Sequence, residues 1–387
     1  MQIHHGLCFL AIGAAISHTT LASPTWIDAI TDGKALIDLR LRYEQHDSDN
    51  NNDTADALTL RSRLGFQTAP LAGFQFLYEI DDVRALIDDY APEQAGYDVV
   101  ADPVNTEINR AQLSYQNEQL NAVLGRQRLV WDNARFIGNV GWRQNEQTYD
   151  AIKIGYQHAD WQWQYAYINQ VNGITFNDID VNHHLLHAKF SGLKAGNITA
   201  YAYLLDDKDS DTTHNTAGAF WQGNWTNDTL PLQYRLELAQ QSAELANGNE
   251  FTTYYYLAEG SVNLSGIRTS VGYEVLSSDG GDYGFQTPLA TKHAFNGWAD
   301  KFLNTPATGL HDRYVKVGGQ AMGARWLLAY HDYASDQGSV DQGNEFNGLV
   351  SYALEKNTSL GAKLAVYQAG DVGVDTTKFW LWAEYKY

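Results

Sequence analysis

Cysteine is nearly missing. Cys8 is the only one in 387 residues, and it sits in the first apolar run, so a chain that loses this run has no disulfide chemistry open to it. Long apolar stretches are also missing: beyond residue 22 no window approaches the ~18 consecutive apolar residues that a membrane-spanning helix needs. Methionine is scarce (2 residues), charged residues reach only 19%, and 26 basic side chains face 46 acidic ones for a formal charge of −20. Aromatic residues are plentiful at 13%, with 11 Trp and 24 Tyr. This profile has little for a helical core and ample material for alternating strands.

The first residues differ from the rest. Leu7 to Ile16 is an unbroken apolar run followed by small and polar residues to Ala22, the pattern of an export signal cleaved after Ala22, although its leading segment offers His4 and His5 in place of Lys or Arg. The expected organisation is a signal peptide over 1–22, a short periplasmic segment over 23–33 and a barrel over 34–387.

Within 34–46 (KALIDLRLRYEQH), Ala35, Ile37, Leu39, Leu41 and Tyr43 share one face and Asp38, Arg40, Arg42 and Glu44 the other. Only a strand makes that division. The chain ends the same way: in KFWLWAEYKY, Phe379, Leu381, Ala383, Tyr385 and Tyr387 alternate with Lys378, Glu384 and Lys386. About eighteen such runs follow one another, joined alternately by tight turns and by long, acidic, glycine-bearing loops, with a polar stretch over 82–105 read as a loop. Short turns on one side and long loops on the other predict an all-β fold: a transmembrane up-and-down antiparallel β-barrel of about 18 strands, both termini periplasmic, in the outer membrane of a Gram-negative bacterium. Its expected partners are outer-membrane lipid and lipopolysaccharide, and the assembly machinery that reads an aromatic terminal residue. Nothing points to nucleic acid.

In a large barrel the polar face lines water. The candidate channel-lining residues are Arg40, Arg42, Arg61, Arg63, Arg110, Arg126, Arg128, Lys153, Arg235, Arg268 and Arg325, with Lys189, Lys316 and Lys363 on similar faces. Confined guanidinium groups favour anions. The alternative is that these cations pair with inward Asp38, Glu44, Glu79, Asp81, Glu237 and Glu274 and hold the barrel's shape, leaving a weakly selective porin. Residues 126–146 are the densest constellation, where Arg135 and Arg143, with the constriction aromatics Trp131 and Trp142, are placed to fold into the mouth and grip an anion or stack on sugar rings.

That stretch, LGRQRLVWDNARFIGNVGWRQNEQTYDA (124–151), together with TPLATKHAFNGWADKFLNTPATGLHDRYVKVGG (287–319) and IDAITDGKALIDLRLRYE (27–44), resembles the alginate-export family of outer-membrane barrels. The resemblance implies eighteen strands and, as in the best-known members, an arginine-rich conduit for an acidic polysaccharide or oligosaccharide. No cofactor and no metal are implied. His183 and His187 share a strand face that His184 leaves, so HHLLH lacks ligand geometry, and DSDNNND and DDKDSD lack the glycine and glutamate of a calcium loop. A barrel-embedded hydrolase would need Ser114 or Ser270 to meet His331, and no G-x-S-x-G motif is present.

Overall fold

The computed structural model describes residues 25–226 and 231–387; the expected signal peptide lies outside the described residues. A six-residue helix, α1 (Trp26–Thr31), leads into β1 (Lys34–Ser48), β2 (Ala55–Gln67), β3 (Phe74–Asp89), β4 (Asn105–Gln116), β5 (Leu120–Gln127) and β6 (Thr148–His158). There follow β7 (Trp161–Asn172), β8 (Asp178–Leu193), β9 (Gly196–Asp207), β10 (Thr212–Thr226), β11 (Pro231–Glu244), β12 (Glu250–Leu264) and β13 (Ile267–Leu276). A small hairpin, β14 (Ser278–Asp279) with β15 (Tyr283–Gly284), precedes β16 (Leu310–Ala321), β17 (Ala324–Ala334), β18 (Asp341–Glu355), β19 (Thr358–Gln368) and β20 (Thr376–Lys386).

All strands but β14 and β15 form one 18-stranded antiparallel sheet in chain order, closed by pairing β1 with β20 from Asp38↔Lys386 to Ser48↔Thr376. The terminal residue completes the seam, Tyr387 N donating to Ile37 O at 2.8 Å. At the other end of the chain, Thr25 and Asp28 cap α1 reciprocally. Ala69 N in the β2–β3 turn donates to Ala29 O at 2.7 Å and fixes the helix to the short-turn rim.

The barrel is apolar outside and polar within. Leu39, Leu41, Leu64 and Phe66 are exposed on the outer wall, whereas Arg40, Arg42, Arg61 and Arg63, their neighbours along β1 and β2, are buried. The polar stretch expected to begin a loop at residue 82 instead continues β3 to Asp89. Asp82 and Arg84 point outward there and pair with each other at 2.6 Å, so charge on the outer face hid the alternation. β5, in turn, stops at Gln127.

The loops at the extracellular end turn inward. Leu129, Trp131, Phe136, Ile137, Phe285 and Leu289, from loops 128–147 and 277–309, pack on lumen-facing Tyr201, Tyr203, Phe220 and Tyr255 in one buried cluster. The two loops are joined by Gly138 N to Leu289 O (2.8 Å) and Thr291 N to Ala134 O (3.0 Å). Gly138 has to be glycine for that approach, because a Cβ there would sit 2.2 Å from Thr291 Oγ1. Phe136 is the keystone, with ring centroids of Tyr201, Tyr255 and Phe285 5.2, 5.3 and 6.0 Å away. Phe136→Ala should remove about 3–5 kcal/mol of packing. The expected result is a larger single-channel conductance and faster external proteolysis within 128–147 in a barrel that keeps its heat-modifiable electrophoretic shift; unchanged conductance and proteolysis would show that the loops do not obstruct the lumen.

Candidate functional site

Four guanidinium groups crowd two adjacent strands, with Arg40 directly opposite Arg61 in register. Like charges so close need partners, and loop 128–147 brings many of them. Arg40 donates to Gln144 Oε1 at 2.8 Å, to Gly141 O at 3.4 Å and to Arg143 O. Arg42 donates to Trp142 O at 2.5 Å, pairs with Glu44 at 3.3 Å, and is bound by the carboxylate of Asp102 from loop 90–104. Arg63 meets Asp81 at 2.7 Å, Glu146 at 3.2 Å and Gln144 O at 3.0 Å. Arg61 turns the other way, to Asp38 and, at 3.2 Å, to Glu384 of β20. The loop thus lies against the arginine wall with the carbonyls of 141–144 aimed at it.

The remaining candidates divide by partner. Arg110 grips Glu79 through Nε and Nη2 (2.9 and 2.7 Å), Arg128 pairs with Glu146 and Glu79, and Arg235 pairs with Glu237 at 2.7 Å across the face of Phe220. Arg135 joins Glu274 at 2.8 Å and Asn296 at 3.0 Å, and Arg143 joins Glu44 at 3.0 Å and Asp300 at 3.4 Å. Each of the six inward carboxylates Asp38, Glu44, Glu79, Asp81, Glu237 and Glu274 therefore holds a guanidinium. Arg126 requires a correction: it lies on the outer wall. It shares parity with Leu124, which is 55% exposed, while Gln127 takes the inward position, and it pairs with Asp150 at 2.8 Å.

Trp131 and Trp142 do not stand open in the mouth. Trp131 is buried beside His187 and Tyr203. Trp142 stacks on His293 at 5.0 Å and meets Trp380 and Trp382 edge-on. Lys363 lies among them, its Nζ 4.3 Å from the Trp142 ring, 3.8 Å from that of Trp298 and 2.6 Å from His293 Nε2. Because Nε2 accepts from the ammonium, His293 is neutral and Nδ1–H donates to Asp300 at 2.6 Å; burial, with Lys363 adding to it, pushes this imidazole down to about 3.

A second set of lumen cations has no carboxylate partner among the described residues. Arg268 touches only Ser261 Oγ (2.9 Å), Lys316 lies over the Tyr314 ring (4.2 Å), and Lys153, Lys189 and Arg325 make no ion pair. They lie between the middle of the barrel and the short-turn rim. Among the described residues no group of three or more His, Cys, Asp or Glu is placed to hold a metal. Ser114 Oγ donates to Gln75 O, and His331 donates to Asp312.

Asp102, Asp300, Gln144 and His293 brace this lumen without having been singled out from the sequence, because their partners come from other loops and no local pattern encodes those contacts. Burial alone would raise the Asp300, Asp102 and Glu146 carboxyls, but the donors around them outweigh it and hold all three below the usual range: the His293 N–H with the cations Lys378 and Arg143 for Asp300, Arg42 and Arg143 for Asp102, and Arg63 and Arg128 for Glu146. Their stabilising contribution is complete above the ordinary carboxylate pKa of about 4 and is lost as pH falls toward the depressed folded values. Conductance should accordingly stay constant from pH 7 to about pH 4 and rise below it. Arg143→Ala, which takes one cation from each of Glu44 and Asp300 while Arg42 and Lys378 stay in place, should bring that rise to higher pH; an identical pH profile in the variant would sink the role given to these pairs.

Comparison with known proteins follows from this geometry. The family model described as alginate export matches residues 35–272. The fold is shared with Pseudomonas aeruginosa OpdO (14% identity, 93% of this chain and 98% of that one, TM-score 0.71), Pseudomonas aeruginosa OccK9 (OpdG) (14%, 92% and 99%, 0.71) and Acinetobacter baumannii OccAB4 (13%, 92% and 98%, 0.69). No curated protein matches the chain in sequence.

Proposed function

This chain belongs to the alginate export family, and from that premise, an outer-membrane channel, we propose that it passes anionic solutes, acidic sugars above all, by passive diffusion and without chemistry of its own. The observation that carries the proposal is the unequal pairing along the lumen. Near the loops, arginines and carboxylates are matched and serve to hold the constriction. Toward the periplasmic rim, Lys153, Lys189, Arg268, Lys316 and Arg325 face the lumen and make no ion pair among the described residues. A confined excess of positive charge raises the local concentration of anions and lowers that of cations. The cations that select are therefore these, and the arginines of β1 and β2 act as braces.

The reversal potential in a planar bilayer under a salt gradient tests this. Anion preference should be clear at 0.01 M salt, where the screening length is about 30 Å, and nearly gone at 1 M, where it is about 3 Å. Replacing Lys153, Arg268, Lys316 and Arg325 together by Gln should move the potential toward zero. A wild-type channel without preference at low salt would leave a general, weakly selective porin.

A further inference from the structure

The extracellular end holds a cavity of about 670 Å3, walled by loops 49–54, 90–104, 128–147 and 277–309. Its volume falls within the roughly 300–1,000 Å3 of small-ligand sites. The charges on its wall are not balanced. Of its two carboxylates, Asp98 accepts from Ser48 N at 2.8 Å and from the amides of Asn50 and Asn52 at 2.7 and 3.3 Å, all neutral donors, and its charge reaches Lys301 only at a distance. Asp300 accepts from His293, Arg143 and Lys378. The lysines fare differently. Lys292 Nζ donates to Asn304 Oδ1 at 2.9 Å and Lys301 Nζ to Thr376 Oγ1 at 3.0 Å, both neutral oxygens, and neither ammonium has a carboxylate within ion-pair distance among the described residues. Burial, with Arg135 adding to it, pushes Lys292 down to about 8, as befits an ammonium short of negative charge.

We propose that this cavity is a binding site for a small hydroxylated carboxylate, a sugar acid of one or two residues, whose charge supplies the counter-ion that Lys292 and Lys301 lack. The side-chain amides of Asn50, Asn52, Asn304 and Gln147, on the same wall, suit its hydroxyls, since each offers both a donor and an acceptor. The site rests on the reading of the channel as one for anions, and gives that reading a place of capture on the outer side, ahead of the constriction.

Isothermal titration of the purified full-length protein with galacturonate, and with galactose as the uncharged control, tests it. Galacturonate should bind and galactose should not. Lys292→Gln and Lys301→Gln should each weaken galacturonate by about ten- to a hundredfold, the worth of one charge-assisted hydrogen bond, and Lys301→Arg should recover most of the loss. The heat-modifiable electrophoretic shift verifies that each variant is folded. The site is overturned if folded Lys→Gln variants bind galacturonate as the wild type does, if galactose binds equally well, or if galacturonate gives no heat. The wild-type reversal potential separates the two ideas: anion preference without galacturonate binding removes this site and leaves the proposed function standing, whereas lysine-dependent binding in an unselective channel keeps the site and removes the selectivity.

Discussion

A peptide group in hydrocarbon has no water to bond, and each unsatisfied N–H or C=O there costs several kcal/mol. Everything else in this molecule answers to that constraint. The sheet has to close, so β20 has to find β1, and the outer wall has to be apolar, so the polar half of every strand is turned into the lumen. A soluble protein hides its apolar residues to gain stability. Here the interior is instead where polar side chains collect, and they have to satisfy one another.

That demand accounts for the constriction. Arg40, Arg42, Arg61 and Arg63 repel one another across two strands, and among the described residues no carboxylate pairs with Arg40. Loop carbonyls at 141–144 and the carboxylates of Asp102 and Glu146 complete the set. On the opposite wall, Tyr201, Tyr203, Phe220 and Tyr255 offer apolar area to the aromatic side chains of the same loops. One loop layer is thus held by charge on one side and by ring packing on the other. Much of the arginine in the lumen is engaged in holding the loops, while several lysines and arginines outside that layer make no ion pair among the described residues.

The barrel was legible because its determinants are local. Leu39 and Leu41 alternating with Arg40 and Arg42 assign both faces of β1 from adjacent residues, and each of the six inward acids singled out as an arginine partner has that role. Arg126 failed the same logic because Val123 and Leu124 are both apolar, so parity there is ambiguous and charge is a poor guide near the rim, where Asp150 on the next strand can neutralise an outward guanidinium. Asp82 and Arg84 misled in the same way at the end of β3. Loop paths were legible only in outline: the Arg and Trp residues of 126–146 pointed to an inward fold, but not to its partners. Whether Asp300 meets Arg143 and Lys378 depends on how two loops distant in sequence fill a common volume, and nothing within either loop specifies that.

The bridge from Arg61 to both Asp38 and Glu384 spans three strands across the seam. Alternation of faces cannot distinguish the observed pairing of β1 with β20 from one slid by two residues, since a two-residue slide preserves every inward and outward side chain. Such a slide would carry Glu384 nearly 7 Å along its strand, out of reach of Arg61. The stagger at closure sets the shear of a barrel, and shear with strand number sets its tilt and diameter. The Arg61 guanidinium, together with the contact of Ser48 Oγ with Thr376 Oγ1 at 3.0 Å across the same seam, therefore acts as a gauge of pore calibre, selecting among closures that the hydrophobic pattern leaves equivalent.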